Sequence, residues 1–491
     1  MNEILNMTAL ELSAAIKKGT VTCREAVQAA LDAVSARDGR LNAFVCVTRQ
    51  QALERAAALD ASGGRGPLFG VPGGVKDNLC TRGIPTTCAS RMLEHYVPPY
   101  NAGVIDRLDE AGAVLLGKLN MDEFAMGSTS ETSCFGPVRN PWDMSCVPGG
   151  SSGGAAAAVA AGETWFALGT DTGGSVRQPA AWCGVTGIKP TYGTVSRYGV
   201  VSYASSFDQV GVICRDAADC AAVLDTIQRH DPRDSTSLPG EYGGLLAGLS
   251  GDIRGMKIGM PEQWFDRNVD ERVRCHVLSA AQVLRDAGAQ VESCCLPAAD
   301  YGLAAYYVIA CAEASSNLAR YDGIRYGKRC DGNTNLEELY LRSRSEGFGP
   351  EVKRRILLGT FVLSEGYYDA YYAKALAAKE MVKRNFEQLF SSYDLLLAPV
   401  TAGLAPKLGH SLEQPARMYQ GDSYTVCANL AGLPALSMPC GHDASGLPVG
   451  VQLIGPTFGE QKLLNAAHAV QRETDWHRRR PPCFGTGGDG V

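Results

Sequence analysis

Stretches whose apolar residues recur every three or four positions alternate along the chain with short apolar runs bounded by glycine, proline or charge. The first pattern is that of amphipathic helices, the second that of buried strands. Thr8-Ala9-Leu10-Glu11 and Thr22-Cys23-Arg24-Glu25 each set a threonine three positions before a glutamate at the head of a periodic segment. Such capping boxes satisfy N–H groups that a helix start leaves orphaned, and they predict two helices, closed by Gly19 and near Gly39. A third helix is predicted over about 48–61, ending at Ser62-Gly63-Gly64, and further helical periods cover 269–287, 351–390 and 460–473. Apolar runs of strand length occupy 113–117, 164–168, 257–260, 290–294, 395–398, 435–439 and 449–454. The alternation predicts an α/β fold with a central sheet covered by helices on both faces. The charged, turn-rich stretch 228–256 has the composition of a linker, the glycine-rich end 481–491 that of a disordered tail, and no internal repeat is present.

Composition narrows the class. With 491 residues, 45% of them hydrophobic, the chain can bury a large core, and length alone allows two to four domains. A formal net charge of -6 and a pI near 5.8 supply no overall basic field for nucleic-acid phosphate, and no basic stripe with interleaved aromatics is read. The 17 cysteines form no CxxC pair and no zinc-ligand spacing, which predicts mostly buried, reduced thiols in a cytosolic protein. No charge-free apolar run reaches the length of a membrane span.

The chemistry concentrates at 149–180, GGSSGGAAAAVAAGETWFALGTDTGGSVRQPA, where two glycine clusters hold Ser151 and Ser175, 24 positions apart. Glycines let main-chain N–H groups approach a substrate closely, as a serine nucleophile beside an oxyanion hole requires. A flexible linker is the plainer reading, but linkers do not embed Trp165, Phe166 and Leu168 between their glycines. Serine needs a base, and none of the seven histidines (95, 230, 276, 410, 442, 468 and 477) lies near this core in sequence. Lys76, in Gly70-Val71-Pro72-Gly73-Gly74-Val75-Lys76-Asp77-Asn78, is a candidate instead, since burial lowers a lysine pKa and yields a neutral amine. A lysine in a turn is more commonly a solvated surface charge. Residues 112–119 nearly spell a phosphate-binding GxxxxGK[ST] loop, but Leu119 stands where the hydroxyl belongs, and a strand ending in a turn explains the same residues.

Lys76, Ser151 and Ser175 in these motifs resemble the amidase signature family, over most of the chain and most densely at about 66–215. The resemblance implies one compact domain over 1–480 with a mixed sheet, and a Ser-cisSer-Lys triad. Ser175 is then the nucleophile, Ser151 the bridging serine after a cis peptide and Lys76 the base, with N–H groups of Thr172, Gly173 and Gly174 as the oxyanion hole and Ser175 contributing. Ser152 is the tempting wrong choice for the bridge, and Asp171 and Arg177 become supporting charges. Gly73-Gly74-Val75 replaces bulkier aliphatics common in the family, which predicts looser packing around Lys76. The stretches 121–132, 231–237, 313–327 and 351–372 resemble the family's branch of glutaminase subunits of tRNA-dependent amidotransferases. That branch implies a glutamine substrate, with Arg355 on its carboxylate, Asp422 on its ammonium and Tyr306 nearby; the plainer reading of Lys353-Arg354-Arg355 is an exposed charge run. It further implies a cytoplasmic heterotrimer with subunits B and C, no metal or cofactor in this chain, ATP and Mg used by a partner subunit, and misacylated tRNA held mainly by that partner. The alternatives are a stand-alone amidase for another small amide and a non-catalytic scaffold or nucleotide-binding subunit.

Overall fold

One mixed sheet runs through the chain: β1 (Phe44–Val47), β2 (Pro72–Lys76), β3 (Val114–Leu119), β4 (Phe166–Asp171), β5 (Thr186–Lys189), β6 (Gln209–Cys214), β7 (Lys257–Pro261), β8 (Gln290–Cys294), β9 (Leu395–Pro399), β10 (Ala435–His442) and β11 (Pro448–Ile454). The computed structural model describes residues 2–64, 66–265, 269–332 and 334–484. The strand order is β1-β3-β2-β4-β6-β5-β10-β11-β9-β7-β8. β2 is parallel to both β3 and β4, whereas β4 to β6, β6 to β5 and β5 to β10 are antiparallel. Parallel pairing sets Val75 opposite Leu168, so β2 and β4 deliver Lys76 and the segment after Gly169 to the same end of the sheet.

Helices flank the sheet. On one side Ala9–Lys17, Cys23–Leu41, Ala217–Ile227, Glu271–Asp286 and Glu460–Glu473 contribute Leu12, Val27, Leu224, Val277 and Leu464 to a continuous apolar core. A second core forms where Ala299–Leu318, Pro350–Leu363 and Lys374–Phe390 bring Ile309, Val352 and Phe386 against Leu396 of β9 and Ile454 of β11. Both threonine capping boxes form as the sequence predicts.

Four strands escaped the sequence reading. β2 carries a proline and two glycines, residues that weaken a strand, yet all five of its positions are buried. A Cβ on Gly73 would lie 2.1 Å from the Phe166 ring of β4, so the missing side chain is what lets the aromatic pack across the pair. β1 and β5 have four residues each, and β6 is buried throughout, leaving no alternation to read. The helical period expected over 351–390 is interrupted: the first helix ends at Leu363, Gly366 takes φ +85, and a turn of π-helix at Tyr368–Ala373 leads into the next. The second helix passes Gly39 and closes at Asn42, whose left-handed φ of 57 makes it the cap. The stretch with linker composition packs onto the body, with Ile253 in the core and Asp225 accepting from the N–H groups of Leu245 and Leu246. The expected tail starts with order, since Pro482–Phe484 is a 3-10 turn and the Arg37 guanidinium lies over the Phe484 ring; 485–491 fall outside the described residues.

Candidate active site

Lys76, the last residue of β2, is completely buried, and its Nζ lies 2.7 Å from Ser151 Oγ. The amine is held at the C-terminal end of β4 by Thr170, with Nζ 3.2 Å from the carbonyl and 2.9 Å from Oγ1. Burial drives the Lys76 pKa down to about 7, and the negative charges of Asp122, Asp171 and Asp208 only partly oppose this. No looseness accompanies the local glycines: a Cβ on Gly74 would meet Leu119 at 2.7 Å, so neighbouring side chains fill the space bulkier residues would take.

Ser151 and Ser152 differ in what they touch. Ser151, preceded by a cis peptide after Gly150, meets Lys76, whereas Ser152 Oγ donates to the Thr170 carbonyl at 3.2 Å. The Ser152 N–H in turn donates to the Ser175 carbonyl at 3.1 Å, tying the two serine loops together. Ser175 follows β4 just before the helix Arg177–Cys183 and is 8% exposed, against 0% for Ser151. Ser175 is therefore the less enclosed of the two, and no hydrogen bond among the described residues joins its hydroxyl to that of Ser151.

The loop 172–175 is shaped by Asp171, which accepts from the N–H of Gly174 at 2.8 Å and of Val176 at 3.2 Å. Burial alone would raise the Asp171 carboxyl, but Arg177, fully buried and bonded to both its oxygens at 3.0 Å, holds it well below the usual carboxylate range. Arg177 also donates to Asn429 Oδ1 and Gln452 Oε1, so this buried pair has hydrogen bonds on every side. Gly174 takes φ +131, and a Cβ there would sit 2.3 Å from Thr425 Oγ1. Of the three expected oxyanion donors, Gly174 thus has its N–H engaged by Asp171. No hydrogen bond among the described residues uses the N–H of Thr172, Gly173 or Ser175, and buried N–H groups without an acceptor are rare.

Beyond the serines lies a second polar cluster. Arg355 is 2% exposed and therefore no surface charge run; its Nε donates to Glu351 Oε1 at 2.8 Å and its Nη1 to the Tyr203 hydroxyl at 2.8 Å. The guanidinium sits 5.3 Å from the ring centres of Tyr203 and Tyr307, and its buried Nη2 has no hydrogen-bond partner among the described residues. Asp422 accepts from Ser128 Oγ at 2.9 Å and from the Tyr307 hydroxyl at 2.6 Å. Burial lifts its carboxyl to about 6, with Tyr307, Ser128 and Arg355 restraining the rise. Tyr306 makes no bond to Asp422; it packs between Gly173, whose Cβ would lie 2.5 Å from it, and the Phe207 ring. Sequence reasoning missed Thr170, Ser128, Tyr203 and Tyr307. Ser128 stands in the stretch 121–132 already singled out, but nothing local marks a hydroxyl that acts across the fold. Among the described residues no cluster of His, Cys, Asp or Glu could hold a metal ion, and no helix is long and apolar enough to cross a membrane.

A lysine buried beside a serine, a second serine whose carbonyl is tied to the first serine's loop, and N–H groups of Thr172, Gly173 and Ser175 with no acceptor among the described residues are the parts of an amide-cleaving serine site. The amidase family model matches residues 25–464, and the chain belongs to that family of enzymes. It is 54% identical over 483 residues to the A subunit of the glutamyl-tRNA(Gln) amidotransferase of Moorella thermoacetica, a match covering 98% of this chain and 99% of that one. The crystal structure of the A subunit of the Thermotoga maritima glutamyl-tRNA(Gln) amidotransferase superposes with a TM-score of 0.81 at 39% identity, covering 97% of each chain. The native peptide amidase of Stenotrophomonas maltophilia superposes with a TM-score of 0.82 at 31% identity, covering 98% and 99%.

Proposed function

We propose that this chain is the glutaminase subunit of a tRNA-dependent amidotransferase, cutting ammonia from glutamine through an ester on Ser175. Neutral Lys76 draws the Ser151 proton while Ser151 takes that of Ser175, and the Ser175 oxygen attacks the side-chain amide carbon. The oxyanion is met by the N–H groups of Thr172, Gly173 and Ser175 itself; Gly174 joins only by giving up Asp171. The proton passes to the leaving nitrogen, ammonia departs, and water hydrolyses the glutamyl ester to glutamate. Arg355 Nη2 receives the α-carboxylate, Asp422 the α-ammonium, and Tyr306 forms an aromatic wall. Ammonia then serves amidation of misacylated Glu-tRNA(Gln) or Asp-tRNA(Asn) on a partner of a cytoplasmic heterotrimer with subunits B and C, where ATP and Mg are used.

The 2.7 Å contact between Lys76 and Ser151 in a fully buried setting carries the hydrolytic part of this reading, and likeness to the Moorella protein carries the narrower part. Ammonia release from glutamine is the test, measured for the chain alone and with co-purified partners plus charged tRNA. Turnover that rises with partners and vanishes in Ser175→Ala supports it. Undiminished glutamine-dependent amidation by Ser175→Ala sinks it. Likeness to the peptide amidase favours one rival, a stand-alone amidase, and fast cleavage of simple aliphatic or aryl amides by the isolated chain selects that rival.

A further inference from the structure

A cavity of about 1030 Å³ whose lining includes none of Lys76, Ser151 or Ser175 lies where the segment after β2 meets the loop that follows the helix Ala299–Leu318. Its wall carries Arg91, Arg320, Arg325, Lys328 and Arg329 against a single acid, Glu94. Among the described residues Arg91, Arg325, Lys328 and Arg329 form no ion pair, although the whole chain is net acidic. Four tyrosines (Tyr96, Tyr100, Tyr321 and Tyr326) line the same cavity, and Tyr326 is 59% exposed.

The loop is built rather than loose. Lys328 N–H donates to the Met92 carbonyl at 2.8 Å, joining the two walls, and Asp322 caps the N–H groups of Ile324 and Arg325 at 2.8 and 2.9 Å. Arg344 holds the carbonyls of Leu318 and Tyr321 at 2.9 Å each. Gly327 takes φ +85, and a Cβ on it would reach Met92 Sδ at 2.4 Å. Unpaired cations concentrated in a concavity favour a multiply charged anion, and exposed aromatic faces beside them favour a flat ring. The volume is that of a small-molecule site rather than of a flat protein contact. The expectation of no basic stripe with interleaved aromatics fails at 320–329, where Arg320, Arg325, Lys328 and Arg329 alternate with Tyr321 and Tyr326, and the fold adds Arg91 from a distant segment.

We propose that this cavity binds a phosphate-bearing nucleotide, either free or as the end of an RNA chain. The cations grip the phosphate and Tyr326 stacks on the base. The proposal stands apart from the reading of the serine site, because no residue given a role there lines the cavity.

Titration of the full chain with adenosine 5′-monophosphate, adenosine and a fluorescein-labelled single-stranded oligoribonucleotide tests it. The expected result is saturable binding of the monophosphate or the oligonucleotide, weakened by added salt, with adenosine at least about tenfold weaker. Arg325→Ala/Lys328→Ala/Arg329→Ala should lose at least tenfold in affinity, and the single reversal Arg325→Glu should weaken binding in the same direction. All three side chains are exposed, so thermal melting and amide hydrolysis should match the parent. Binding of the monophosphate assigns the site to free nucleotides, and binding of the oligonucleotide alone assigns it to RNA. Failure of both probes, or affinity within twofold of wild type in the triple variant, overturns the proposal. Loss of a co-purifying acidic protein from the variant, with neither probe binding wild type, overturns it equally and gives the pocket to that protein.

Discussion

An amine with a pKa near 7, 2.7 Å from a serine hydroxyl, is poised differently on either side of neutrality. Burial disfavours its charged form, so above about pH 7 the amine is neutral and carries a lone pair beside Ser151 Oγ, the feature the proposed base role needs; below it the added proton occupies that lone pair. Turnover should therefore fall on acidification through about pH 7, far below free lysine, and Lys76→Ala should lose about 10²–10⁴-fold in kcat. Asp422, at about 6, should add a second acid limb visible in KM rather than kcat, because a protonated carboxyl no longer holds an ammonium. A kcat profile flat from pH 5.5 to 8.5 defeats the assignment of Lys76. The serine pair offers a sharper discrimination. Ser151→Ala should cost about 10²–10⁴-fold, while Ser152→Ala, which loses only bonds to the Thr170 backbone, should stay within about tenfold. Equal losses in steady-state assays of the two variants remove the distinction. Lys76, Ser151 and Ser175 were legible because each sits in a glycine-rich motif whose spacing carries information. Tyr307, Ser128 and Tyr203 were not, because each acts through one hydroxyl on a partner at least 115 positions away.

Among the elements, the long helices stand out in sequence by period and caps, and β3, β4 and β7–β11 stand out as short apolar runs. β2 fails every such test and yet delivers the lysine. Its glycines exist for its neighbours, which a single strand's own pattern does not reveal. Gly73→Ala would push a methyl against the Phe166 ring, and overpacking of a filled core costs about 1–3 kcal/mol. Urea unfolding should register that loss, and Phe166→Leu added to Gly73→Ala should recover part of it by making room. The displaced strand should also slow hydrolysis, since Lys76 ends it. Unchanged stability in Gly73→Ala contradicts the close packing of β2 on β4. The break within 351–390 shows the opposite failure: the helical period runs on in the sequence, but Ser364 turns extended after Leu363 and Gly366 then takes a left-handed φ, so the chain changes direction between the two helices.

For the whole molecule, stability is expected to titrate on a group other than the one proposed for function. Glu163 lies in the turn between the helix Gly153–Ala160 and β4, fully buried, and neither carboxyl oxygen has a partner among the described residues. Burial lifts its pKa well above the ordinary value, Asp38 adds to the rise, and Arg37 opposes it. The folded chain thus keeps a proton there that the unfolded chain releases once pH exceeds the ordinary glutamate value of about 4.3. Because the native state binds the extra proton, stability falls as pH rises through this window, by at most about 1.4 kcal/mol per pH unit. Glu163→Gln has nearly the same shape and no proton to lose. Its stability relative to wild type should therefore increase from pH 5 to pH 8, while its hydrolytic pH profile keeps the limb set by Lys76. Urea unfolding of both proteins at pH 5, 6.5 and 8 decides the matter: curves that stay parallel across the three would mean that Glu163 is ionised in the fold and has found a partner.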